Sequence, residues 1–138
     1  MKILMSPKII FTVIAILNLL HGLMLLFGAE SVYMEMAPGL SKEAMALGAT
    51  ELEIGSAFNF FLAIVLFSCR GLNFPDVKNV LIGTGIGIFC LAGIAFKHTS
   101  AYPDYPELRP TALMIVIVVI IALWPIIAGI RGETTNSD

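Results

Sequence analysis

The sequence predicts an all-α fold, an antiparallel bundle of four transmembrane helices, on three observations. Four long apolar runs occupy most of the 138 residues. Only 13% of residues are charged, about half the share usual in soluble domains. The mean hydropathy is +0.93. A run of about 20 apolar residues matches a bilayer core of about 30 Å, so each run is long enough to cross once. Helices follow because four short strands cannot close a barrel, and lipid tolerates no open sheet edge.

The first run is Ile9 to Gly28, IIFTVIAILNLLHGLMLLFG. The competing reading is a secretory signal peptide, with Lys2 and Lys8 as its basic start and small residues at Gly28-Ala29. The apolar stretch exceeds the usual 7–15 residues of such a segment, which favours a span. The second run extends from about Gly48 to Cys69. Its helix is expected to start earlier. Pro38-Gly39-Leu40-Ser41 reads as a turn followed by an N-cap, and SKEAMALGATELEIG reads as helix from Ser41 onward. Thr50-x-x-Glu53 also fits a capping box, so the second span's glutamates have a purely local reading as well. The tight link Arg70 to Asp76, with Asn73 and Pro75, leads to the third run, Val77 to Phe96. The connector HTSAYPDYPELRP holds three prolines and cannot be helical throughout. With Tyr102 and Tyr105 it is expected to form a compact outer cap. The fourth run is Thr111 to Ile130. Spans and connectors together suggest one membrane domain over residues 1–138.

Orientation follows from lysine and arginine. Lys2, Lys8, Arg70, Lys78 and Arg131 fall on one side; Lys42, Lys97 and Arg109 fall on the other. The excess places both termini in the cytoplasm, in an inner or plasma membrane. A net charge of −2 gives no reason to expect nucleic acid. The expected partners are the bilayer itself and a membrane protein or a second copy of the chain. Cys69 and Cys90 lie at different depths and are not expected to pair. No C-x-x-C, H-E-x-x-H, nucleophile elbow or phosphate-cradling loop occurs.

Polar residues at membrane depth are the best functional pointers, because lipid makes them costly. Asn18 and His21 lie three apart in the first span, with Gly22 on the same face. The second span carries Glu51, Glu53, Ser56 and Asn59. If Gly28 and Gly48 sit level, His21 meets a glutamate in the outer half and Asn18 meets Asn59 deeper. Lys97 and His98 lie above this group. These seven residues, Asn18, His21, Glu51, Glu53, Asn59, Lys97 and His98, form the candidate ligand site. A histidine beside a carboxylate titrates near neutral pH and suits a proton, a quinone headgroup or a small polar ligand. The plain alternatives stand beside it. Asn18 and His21 also read as interhelical hydrogen-bonding groups, and Lys97 and His98 as side chains snorkelling to the surface. Gly22, Gly55, Gly83 and Gly87 read as helix-packing positions. Met24, Met34, Met36 and Met45 read as packing residues, and no metal set is expected. No cofactor is indicated by residue pattern.

HGLMLLFG in the first span resembles the HG-x-x-K-LFG signature of DoxX-like membrane proteins. ELEIG followed by a long apolar run resembles the opening of their second helix, and the four-span layout agrees. Leu25 occupies the position of that signature's lysine, so His21 would have to stand in for its charge. The resemblance implies a four-helix bundle and points at His21, Gly22, Glu51 and Gly55. It also implies a role as an accessory or assembly subunit of a membrane complex, redox complexes included. A small oxidoreductase binding quinone or a lipid-borne substrate is the alternative. A subunit of an oligomeric channel or transporter ranks third, because few polar residues are available to line a water path.

Overall fold

The structure, a computed structural model, describes residues 5–36, 39–101 and 111–132; for residues 36, 95 and 98–101 it describes the backbone alone. Four helices follow one another: α1 (Pro7–Met36), α2 (Lys42–Cys69), α3 (Lys78–Ala101) and α4 (Ala112–Arg131). The described residues contain no strand. Helices α1, α2 and α4 are each long and apolar enough to cross a membrane. The apolar part of α3 among the described residues is Lys78–Ile94. At 1.5 Å per residue that is about 25 Å, the short end of what a bilayer core requires.

Contacts divide the chain into two compact units, Phe11–Ser68 and Met1–Ile10 with Cys69–Asp138. In the first unit, α1 packs on α2. Gly22 lies against Asn59 and Phe60, and Gly48 lies under the Tyr33 ring. Moving up α1 therefore means moving back along α2, so the two helices run antiparallel. Their buried positions include a small residue every seven: Ala15, Gly22 and Ala29 on α1, and Ala49, Ser56 and Ala63 on α2. That spacing keeps one narrow seam facing a neighbour, and small residues on it let backbones approach closely. Phe11, Ile14 and Leu66 are buried as well, but much of the apolar bulk points outward. Phe27 is 82% exposed and Phe58 72%. Large apolar groups outside and small ones on the seam is a size pattern suited to lipid as solvent.

In the second unit, α3 packs on α4. Gly85 lies against Ala122 and Ile126, and Gly129 lies against Lys78, Leu81 and Ile82. These pairs also run in opposite order, so α3 and α4 are antiparallel. Pro125 sits inside α4 and is buried. A proline there removes one backbone hydrogen bond, which a helix in lipid tolerates where neighbours surround it. Further along, the helices leave an apolar cavity of about 430 Å³ between Phe89, Gly93 and Phe96 on α3 and Met114, Ile115 and Val118 on α4. The connector between α2 and α3 contains a cis peptide bond, Phe74–Pro75.

Hydroxyl side chains cap two helix starts, the expected one at Ser41 and a second at Thr111. Ser41 Oγ accepts from the Ala44 N–H at 3.2 Å, so α2 begins outside its apolar stretch. Glu43, in that first turn and ahead of the stretch opening at Gly48, is held below the usual carboxylate range. The causes are hydrogen bonds to its own backbone N–H and to the Ser41 hydroxyl. Thr111 Oγ1 accepts from the Met114 N–H at 3.3 Å and caps α4. The Thr50–Glu53 capping box does not form. Both residues lie inside α2, and Thr50 Oγ1 donates back to the Ala46 carbonyl at 2.8 Å. Tyr102, Tyr105 and the three prolines of the expected outer cap lie outside the described residues, as do Lys2 and Arg109.

Candidate functional site

Site geometry depends first on how far α1 extends. The apolar run ends at Gly28, but the helix continues through GAESVYMEM to Met36. Gly48 therefore lies level with Tyr33, five residues beyond Gly28. Five residues of helix is about 8 Å. On this register Glu53 faces the level of Gly28 and Glu51 that of Glu30. His21 lies seven to nine residues lower, about 10–14 Å along the axis.

The side chains agree with that register. His21, Glu51 and Glu53 are all exposed. Among the described residues, no hydrogen bond or ion pair joins His21 to either glutamate. The buried stripe of α1 carries Asn18, Gly22 and Leu25, with His21 on its flank. On α2 the stripe carries Ser56 and Asn59, with Glu51 and Glu53 to either side. Asn18 Nδ2 donates to the Ile14 carbonyl at 2.8 Å, and Asn59 Nδ2 donates to the Gly55 carbonyl at 3.0 Å. Each amide is thus turned into its own helix. Ser56, Ser68 and Thr84 likewise donate to carbonyls three or four residues back. Lipid offers polar hydrogens no partner, and back-bonding supplies one locally. Lys97 is exposed near the end of α3; for His98 the side chain lies outside the described residues.

Glu53 instead belongs to a second grouping. One face of α2 presents Lys42, Met45, Ala46, Ala49, Thr50 and Glu53, at intervals of three, one, three, one and three residues. With Glu30 from α1 these line an open cavity of about 640 Å³. Two carboxylates and one ammonium give it a mixed, net negative lining. That suits a small polar ligand carrying an amine or several hydroxyls better than an anion. Glu30 and Lys42 escape a reading confined to membrane spans, because both fall in what looks like connector. The signal was the helical spacing from Lys42 to Glu53, which continues the α2 face outward.

The packing glycines separate clearly. A Cβ on Gly22 would lie 2.8 Å from Phe60 and 3.2 Å from Asn59, so this glycine is required for the close approach. Gly83, Gly87 and Gly55 have no such neighbour within 4 Å. Gly85, between the first two, is the glycine that α4 covers. Cys69 and Cys90 are both free thiols. Among the described residues, no three of His, Cys, Asp and Glu gather as a metal set. Compared with known proteins, the chain matches no family model, no curated protein and no solved structure.

Proposed function

We propose that this chain is a four-span integral membrane protein, an antiparallel helical bundle with both termini in the cytoplasm. It serves as a DoxX-like accessory or assembly subunit of a membrane complex, redox complexes included. The observation that carries this reading is the open Gly83-x-x-x-Gly87 face of α3. Both glycines are exposed and uncontacted, whereas Gly85 beside them is filled by α4. A small-xxx-small face lets another membrane helix approach backbone to backbone. A chain with no use for such a face gains nothing from glycine there, since glycine weakens a helix.

Affinity purification of the tagged chain from its native membranes in mild detergent tests this. The wild-type chain brings down a membrane partner or a second copy in fixed ratio. Gly83→Leu with Gly87→Leu loses it while the chain still inserts and expresses, and His21→Ala retains it. A wild-type chain that elutes alone as a monomer, with no partner cross-linked in intact membranes, removes the proposal.

The cavity at Glu30, Lys42 and Glu53 favours a second reading, binding of a small polar ligand carrying an amine or several hydroxyls at the outer end of α1 and α2. Glu53→Gln then lowers ligand binding without affecting the partner.

A further inference from the structure

We propose, resting on the second reading of the Glu30, Lys42 and Glu53 cavity as a ligand site, that its ligand is a small water-borne zwitterion. An ammonium and an anionic group joined by a short methylene linker, as in an ω-amino acid, define the class. The cavity, about 640 Å³, lies wholly within the Phe11–Ser68 unit. Its charges are sorted by level. Lys42 opens α2, and Glu53 follows eleven residues later, about 16 Å along the axis toward the apolar stretch. Eleven residues come within about 20° of three full turns, so both positions stand on one line of the helix. Glu30 stands level with Glu51, close to the Glu53 end. Among the described residues, no ion pair or hydrogen bond joins Lys42 to either Glu30 or Glu53. Opposite charges thus line one cavity without closing on each other.

Each end has the chemistry for one half of such a molecule. At the inner end stand two carboxylates and the Thr50 hydroxyl, which has already given its hydrogen to the Ala46 carbonyl. The hydroxyl oxygen is left to accept, so all three groups accept from a ligand ammonium. At the outer end Lys42 supplies three N–H donors beside the positive end of a 28-residue helix. Between the two ends the wall is Met45, Ala46 and Ala49, whose side chains offer no hydrogen bond. A methylene linker matches that stretch, whereas a polyol would leave hydroxyls unpaired against it. A bare amine leaves the lysine unanswered, and a bare acid meets two carboxylates. The order of charges also separates this ligand from a phospholipid headgroup seated from the bilayer. In an ethanolamine phospholipid the phosphate lies nearest the acyl chains and the ammonium beyond it. A matching site has its cation innermost, but here Glu53 stands at the level of Gly28, where the apolar run ends, and Lys42 farther out. The ligand enters from the aqueous side, ammonium first.

The test uses the full chain in non-ionic detergent and isothermal titration with two probes, 5-aminopentanoate and 5-aminopentan-1-ol. They share the ammonium and the carbon count and differ in the anionic group. 5-Aminopentanoate is expected to bind about five-fold tighter, the scale of one exposed ion pair. Lys42→Gln removes that advantage and leaves the affinity for the amino alcohol as it was. Glu53→Gln weakens both probes about five-fold. Glu51→Gln, on the other side of α2, changes neither. Lys42, Glu51 and Glu53 are all exposed, so these variants keep the fold. Equal affinity for the two probes, or an advantage that survives Lys42→Gln, overturns the zwitterion while the cavity remains a ligand site. Binding of neither probe overturns both. Displacement of 5-aminopentanoate by phosphatidylethanolamine added to the micelles assigns the site to a lipid and overturns the water-borne class. An equal loss on Glu51→Gln shows general surface charge and overturns it as well.

Discussion

Replacing Gly85 by alanine is expected to destabilise the isolated chain by about 1–3 kcal/mol, the usual cost of overfilling a packed contact. A methyl group there would fall against the Ala122 carbonyl oxygen and Ile126 Cγ1, with Ile126 Cδ1 at 2.9 Å. The isoleucine can rotate away. The carbonyl belongs to the α4 backbone, so relief requires α3 and α4 to move apart, which loosens the Gly129 contact as well. The same substitution at Gly83 or Gly87 meets nothing within 4 Å. There alanine gains up to about 1 kcal/mol from its better helix propensity. Gly85 thus differs from Gly83 and Gly87 by about 1–4 kcal/mol in its response, by overpacking set against propensity. Trp124, the only tryptophan in the chain, lies two residues from Ala122 and reports on this contact. Its fluorescence during unfolding by sodium dodecyl sulfate in mixed micelles gives the three stabilities. If Gly83→Ala costs as much as Gly85→Ala, the face assigned to α4 is wrong, and the open face proposed for a partner goes with it.

Gly48→Ala is expected to destabilise the α1–α2 pair, because the methyl enters the Tyr33 ring, while Gly55→Ala meets nothing and gains up to about 1 kcal/mol. In a double-mutant cycle Tyr33→Ala should relieve much of the Gly48→Ala cost, and additive effects would contradict the contact. Ser41→Ala and Thr111→Ala each remove an N-cap and are expected to cost about 0.5–2 kcal/mol in the same unfolding assay; no change would show that the caps are not formed. His21→Ala is expected to shift stability by no more than about 0.5 kcal/mol, and a loss several times larger would reveal a polar partner for the ring. In a background without Cys69 and Cys90, a cysteine at Gly39 should react with a membrane-impermeant maleimide on intact cells, and one at Asn73 only after permeabilisation; the reverse pattern would invert the orientation.

How much was legible in the sequence differed between elements. The α2 start was readable because Ser41 follows a Pro-Gly turn and its hydroxyl has one obvious use. The α4 start was readable only as the beginning of the apolar run at Thr111; that the Thr111 hydroxyl caps the helix came from the structure. The end of α1 was not. Glu30 and Glu35 stop the apolar run, but nothing in GAESVYMEM stops a helix, and hydropathy measures only the former. That difference of about 8 Å in level moves His21 away from the glutamates and brings Glu30 to the Glu53 cavity. Gly83, Gly85 and Gly87 posed another limit. A run of alternating glycines shows that some face is close-packed, while only the partner helix decides which. Asn18 and Asn59 are polar enough to suggest a mutual contact, yet either amide can satisfy itself on the turn below. Sequence alone does not rank those two outcomes.

Lipid as the solvent for α1, α2 and α4 is the claim beneath all of this, and alkaline carbonate extraction of the membrane fraction tests it most directly. The protein is predicted to stay in the membrane pellet and to enter solution only with detergent. Release into the carbonate supernatant as a monodisperse folded protein would contradict it.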